Sequence, residues 1–145
     1  MSQAQPLIID CHGHYTTAPK ALEEWRNRQI AGIQDAAARP RVADLQISDD
    51  ALRESIEANQ LKLMKQRGSD LTIFSPRASF MAHHIGDFEV SSTWAGICNE
   101  LCHRVSQLFP DHFIGAAMLP QSPGVDPKTC IPELVKCLEQ YGNVG

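Results

Sequence analysis

The chain's 145 residues suit one ordinary domain, and 43% hydrophobic with 21% charged residues is enough to form a core and argues against wholesale disorder. A net charge of −4 with scattered basic residues excludes the basic patch of a nucleic-acid binder, yet leaves room for a small anion held by two or three placed cations. No apolar run approaches the ~20 residues of a membrane span, and Met1-Ser2-Gln3-Ala4-Gln5-Pro6 has no signal-peptide character, so a cytoplasmic protein with reduced cysteines is expected.

Leu7-Ile8-Ile9-Asp10 is a continuous apolar run ending in a carboxylate, which predicts a buried parallel strand covered on both faces. His12-Gly13-His14 follows it directly. A helix is expected over 19–38, with Leu22, Trp25, Ile30 and Ile33 on one side, until Arg39-Pro40-Arg41 breaks it. Ser48-Asp49-Asp50 supplies an N-cap and acidic first turn for a second helix reaching Arg67, with Gly68 placed to end it and Leu52, Ile56 and Leu63 as its stripe.

The second buried strand is expected over 71–74, ending in Ser75-Pro76-Arg77. A polar loop with His83, His84, Gly86 and Asp87 leads to a helix over 93–108, where Trp94, Ile97, Leu101, Val105 and Leu108 recur at helical spacing. A third strand spans 113–119 and stops at Pro120. Asp126-Pro127 opens a last helix with Ile131, Leu134, Val135 and Leu138 on its apolar face. Asn143-Val144-Gly145 reads as the entry to a fourth strand.

Alternating strands and helices imply an α/β fold with parallel strands and right-handed crossovers. The order fits the first three to four units of a (β/α)₈ TIM-like barrel, whose complete form needs ~200 residues or more. Residues 1–145 are therefore expected to be the N-terminal portion of a barrel domain. A flavodoxin-like sheet is the structural alternative, but it lacks its phosphate-binding glycine loop here, because His12-Gly13-His14 stands after the first strand.

His12 and His14 carry the chemistry. Residues two apart in a strand point to one face, so both imidazoles can converge on a cation at ~2.0–2.1 Å. Zinc suits paired imidazoles, and other first-row divalent metals accept them too. The bare pair is weak evidence; its place at the C-terminal end of the first strand, where barrel sites are built, is what gives it weight. Cys98 and Cys102 lie four apart on a helix and are expected to pack as small hydrophobes, as are Cys130, Cys137 and Cys11.

Ile8-Ile9-Asp10-Cys11-His12-Gly13-His14-Tyr15 resembles the opening strand of the amidohydrolase superfamily, in particular the branch holding aminocarboxymuconate-semialdehyde and resorcylate decarboxylases. Further segments are similar to the 4-oxalomesaconate hydratase family within it. They are the stretch from Pro19-Lys20 to Trp25-Arg26, Glu57-Ala58-Asn59-Gln60-Leu61, Thr72-Ile73-Phe74-Ser75-Pro76-Arg77-Ala78-Ser79 and Met118-Leu119-Pro120-Gln121-Ser122-Pro123. The likeness runs along essentially the whole chain.

That resemblance implies a distorted barrel of the metal-dependent hydrolase type, with a zinc held by His12, His14 and donors from later strands. It implies a hydro-lyase that adds water to 4-oxalomesaconate, giving 4-carboxy-4-hydroxy-2-oxoadipate during aromatic degradation, and a homodimer. The superfamily also implies an alternative, a decarboxylase or hydrolase of an aromatic-derived acid; a further alternative is a non-catalytic truncated fragment, because a half barrel exposes unpaired strand edges and helix faces. A tricarboxylate substrate needs cations, so Arg77, just after the second strand, and Lys20, in the loop after the first, are its expected binding residues. No catalytic acid or base is assigned within these residues. Asp10 either orients the pair or caps the loop; His84 is a loop histidine within reach of a pocket. His103 and His112 read as helix-surface and strand-entry residues.

Overall fold

A computed structural model describes residues 6–77 and 80–145. The reading of residues 1–5 as free of a signal peptide, and the Ala78-Ser79 end of the motif after the second strand, lie outside the described residues. The sheet has three parallel strands, β1 (Ile9–Tyr15), β2 (Leu71–Pro76) and β3 (Phe113–Gly115), in the order β1-β2-β3. Among the described residues, five α-helices accompany it: α1 (Lys20–Ala31), α2 (Asp49–Glu57), α3 (Gln60–Arg67), α4 (Phe88–Leu108) and α5 (Ile131–Glu139). Three-strand parallel pairing and a helix layer on one face are as expected.

The helix-side face of β2 carries Thr72, Phe74 and Pro76, all buried. Phe74 packs between Tyr15 and Phe113, with ring centroids 5.2 and 4.9 Å away. Trp94, Ile97, Leu101 and Val105 of α4 and Leu52 and Ile56 of α2 complete this core. The opposite face holds Leu71, Ile73 and Ser75, only half covered, and it is the face a closed barrel turns inward.

Several expectations change. Leu7, Ile8 and Ile9 are 65%, 50% and 48% exposed rather than covered on both faces, because β1 is the edge of the sheet. The expected first helix stops at Ala31, followed by a 3₁₀ turn at Ala36–Ala38. Its buried side includes polar Arg26 and Gln29. Arg26 lies over the Trp94 ring and donates from its two terminal nitrogens to Gln29 and to the Met81 carbonyl, while its buried Nε has no hydrogen-bond partner among the described residues.

The second expected helix is two. Asn59 leaves helical geometry and its side chain donates to the Ser55 carbonyl, competing with the helix ladder. Leu63 consequently points outward at 46% exposure, and Leu61 and Met64 are buried instead. Gly68 does end α3, in the left-handed conformation with φ 71°. Asp87 caps α4 and starts it at Phe88, earlier than periodicity suggested.

Strand β3 ends at Gly115 rather than Leu119. Beyond it, Ala116 still donates to the Phe74 carbonyl, while Met118 turns to exchange hydrogen bonds with the Asn99 side chain. Val144 donates to the Gly115 carbonyl and Ala117 to the Gly145 carbonyl, so residues 144–145 run along the free edge of β3 as the expected fourth-strand entry. The last helix begins with a 3₁₀ turn, Pro127–Cys130, capped by Asp126, before α5.

Candidate metal centre

The C-terminal strand ends form a common rim, Tyr15 beside Pro76 and Phe74 beside Gly115. Asp10 does not reach it, since it pairs with Thr72 and β1 continues for five more residues. The register shifts between Asp10 and Gly13, a bulge that re-aims the His12–His14 segment. Asp10 accepts the His12 backbone N–H at 3.0 Å, so its observed role is to cap this bulge. Gly13 is needed here, because a Cβ at that position would overlap the Thr72 methyl.

His12 and His14 emerge on the same side. Their Nε2 atoms are 3.0 Å apart, with the rings edge to face. Two bonds of ~2.0–2.1 Å to one cation hold nitrogens roughly 3.3 Å apart in a tetrahedral sphere, so the pair fits a divalent metal with a small adjustment. Among the described residues no third histidine, cysteine, aspartate or glutamate joins them. The partner of His14 across the ladder is Ser75, whose Oγ lies 2.7 Å from His14 Nδ1; the Pro76 carbonyl lies 3.0 Å from the same nitrogen. Gln60, the first residue after the helix break, donates weakly to the His14 carbonyl and accepts from Thr17.

Sequence reading did not single out Ser75 or Gln60. The signals for Ser75 were its place at the end of β2, level with the end of β1, and its membership of the family-like segment that also holds Arg77.

Arg77 is exposed on the rim, its guanidinium 4.5 Å from the Phe80 ring centre. It lines a cleft with Thr16, Pro19, Glu23 and Trp94, while His12 and His14 line a neighbouring groove with Gln60 and Arg67. The two are thus brought to one end of the sheet but not into contact. Lys20 is exposed at the start of α1 and lines neither.

His84 is exposed, in a surface groove with His83, Gln121 and Ser122. His103 is half-buried, stacked on Tyr141 and bonded to its carbonyl. Cys98 and Cys102 are buried beneath α4, and desolvation pushes both thiols up, as expected of core residues. Cys137 is buried and pushed up to about 11, chiefly by burial; Cys11 is exposed, against expectation, on the edge strand. Tyr15, under the site, is pushed up to about 12 by burial, partly offset by its hydrogen bond to Ser55.

The family model described as Amidohydrolase matches residues 9–145. The chain belongs to the amidohydrolase family. Among amidohydrolase relatives, the 2-keto-4-carboxy-3-hexenedioate hydratase of Sphingobium sp. is 54% identical over 139 residues, 96% of this chain and 40% of that protein. The crystal structure of 4-oxalomesaconate hydratase from Rhodopseudomonas palustris superposes with a TM-score of 0.89 at 73% identity, over 95% of this chain and 40% of that one. A dihydroxybenzoic acid decarboxylase from Polaromonas sp., solved with manganese and an inhibitor, has a TM-score of 0.62 at 23% identity over 97% of this chain and 37% of its own, a likeness of fold alone. The described sheet and helices are thus part of an amidohydrolase TIM-type barrel, and the chain spans about 40% of the length of the first two relatives.

Proposed function

We propose that residues 1–145 form the N-terminal portion of the barrel domain of a metal-dependent hydratase that acts on 4-oxalomesaconate. The observation that carries this reading is the pair of converging Nε2 atoms at the C-terminal rim, 3.0 Å apart, in a chain 73% identical to a protein called 4-oxalomesaconate hydratase. His12 and His14 would hold the cation, zinc in this reading, together with donors beyond residue 145. A cation there supplies Lewis acidity toward water and toward a carbonyl or carboxylate oxygen.

The reaction divides one water across a carbon–carbon double bond: a C–O bond forms at one alkene carbon and a C–H bond at the other. Conjugation to carbonyl groups sends the developing negative charge to oxygen, where cationic groups stabilise it. Arg77, exposed beside the Phe80 ring, would offer its planar fork to a substrate carboxylate, with Lys20 as a second cation. The small anionic tricarboxylate is the partner, within a homodimer in the cytoplasm. No helix among the described residues is long and apolar enough to cross a membrane.

Metal analysis and loss of substrate absorbance test the reading in the full-length chain. Changing His12 and His14 together to Ala is expected to abolish metal content and turnover; stoichiometric zinc in that double variant would overturn the site. Arg77→Ala is expected to cost about 2–5 kcal/mol of transition-state stabilisation with folding intact. Unchanged kinetic constants would remove Arg77 from the site. The 145-residue chain alone is expected to bind zinc far more weakly than the full-length one, since two imidazoles supply half of a tetrahedral sphere.

A further inference from the structure

Three groups surround His14 Nδ1 and its neighbour across the ladder, and their chemistry leaves one proton arrangement. The Pro76 carbonyl, 3.0 Å from Nδ1, can only accept. Ser75 Oγ is 2.7 Å from the same nitrogen and 3.0 Å from the Gly13 carbonyl, which also only accepts. All are satisfied if Nδ1 carries the proton and donates it toward Ser75 Oγ and Pro76 O, while the Ser75 hydroxyl donates to Gly13. The reverse arrangement sets a bare Nδ1 lone pair against the Pro76 carbonyl. It also turns the Ser75 proton toward the ring and strips Gly13 of its donor. The nitrogen left with a free lone pair is then Nε2, the one 3.0 Å from His12 Nε2.

We propose that Ser75 is a positioning residue for the metal pair, its hydroxyl anchored on the Gly13 carbonyl and holding His14 in the tautomer and tilt that present Nε2 to a divalent cation. The proposal rests on the metal reading above and extends it to the second strand. The arrangement is built by the backbone. The β1–β2 register sets Ser75 opposite His14, and the bulge that Gly13 permits lies beside the carbonyl that Ser75 needs. The hydroxyl therefore reads the position of both strands at once and transmits it to the ring. Hydrogen-bond partners of metal-ligating histidines are typically worth ten- to a hundredfold in metal affinity.

The test compares Ser75→Val with Ser75→Thr in the full-length chain; the two are near-isosteric and differ in the hydroxyl. Zinc affinity is measured by competition with a chromophoric chelator, and the His14 tautomer by nitrogen-edited NMR of the metal-free protein. Ser75→Val is expected to bind zinc about ten- to a hundredfold more weakly and to show a mixed imidazole pattern. Ser75→Thr is expected to restore both. Wild-type affinity with a pure Nδ1–H pattern in Ser75→Val, or equal losses in Val and Thr, would overturn the role of the hydroxyl. Zinc affinity unmoved by His12→Ala would overturn the metal reading instead, and this proposal with it, even where the wild-type tautomer is pure.

Discussion

Helices α4 and α5 carry similar apolar stripes and meet opposite fates. Along α4, Trp94, Ile97, Leu101 and Val105 are all buried in one core with residues of β2, β3 and α2. On α5, Ile131, Val135 and Leu138 remain 49%, 42% and 44% exposed, and only Cys137 is fully covered. The strands repeat the contrast: β2 has a neighbour on each side, while β1 leaves Ile9 nearly half exposed at the edge. Periodicity therefore reports that an element has an apolar face; which neighbour covers that face is decided by the topology around it. Fully burying one such side chain is worth about 1.5–3 kcal/mol, so the covered region holds most of the stability of these residues.

Four measurements would break or sharpen this contrast. The largest effect is expected at the centre of the covered region. Phe74→Ala removes a ring with no exposure, wedged between Tyr15 and Phe113, and should cost about 3–5 kcal/mol in chemical denaturation. A loss under about 1 kcal/mol would mean that the core is loosely packed.

Asn99 joins the two regions. Its amide exchanges hydrogen bonds of 2.9 and 2.7 Å with the Met118 backbone and donates to Glu133 at the start of α5. Asn99→Ala leaves the buried Met118 groups unpaired and should cost about 1–3 kcal/mol, with faster hydrogen exchange in α5 than in α4. Equal acceleration in both helices would show that Asn99 supports the whole layer rather than the seam.

On the open side, Val135→Ala and Leu138→Ala should each change the stability of the 145-residue chain by less than about 0.5 kcal/mol, the range of ordinary surface changes. A larger loss would reveal that the face is covered in solution. The smallest effect is electrostatic. Burial holds the His83 ring below its usual value, with Arg26 and His84 adding repulsion. The unfolded chain therefore binds the extra proton first, and stability declines as the pH falls through about 6.5, the ordinary imidazole value. His83→Gln should flatten that decline; an unchanged pH profile would exclude the histidine as its source.

Patterns confined to a few residues were readable without coordinates. The apolar stripe of α4, the stop at Gly68, the cap at Asp126 and the alternation that puts His12 and His14 on one side all follow from local sterics and periodicity. So did the parallel order of the strands, because a helix between two strands forces a crossover. Other features depend on residues far apart in sequence. The break at Asn59 has a local bond to the Ser55 carbonyl, but the place of Gln60 just after it depends on Thr17 and His14, some 45 residues earlier in the chain. The burial of Arg26 needs the Trp94 face and the Met81 carbonyl. The need for glycine at position 13 comes from the Thr72 methyl beside it, and the aim of the His14 ring needs Ser75 on another strand. Such choices are made when strands pair and side chains compete for the same space, and a one-dimensional pattern carries no record of that competition.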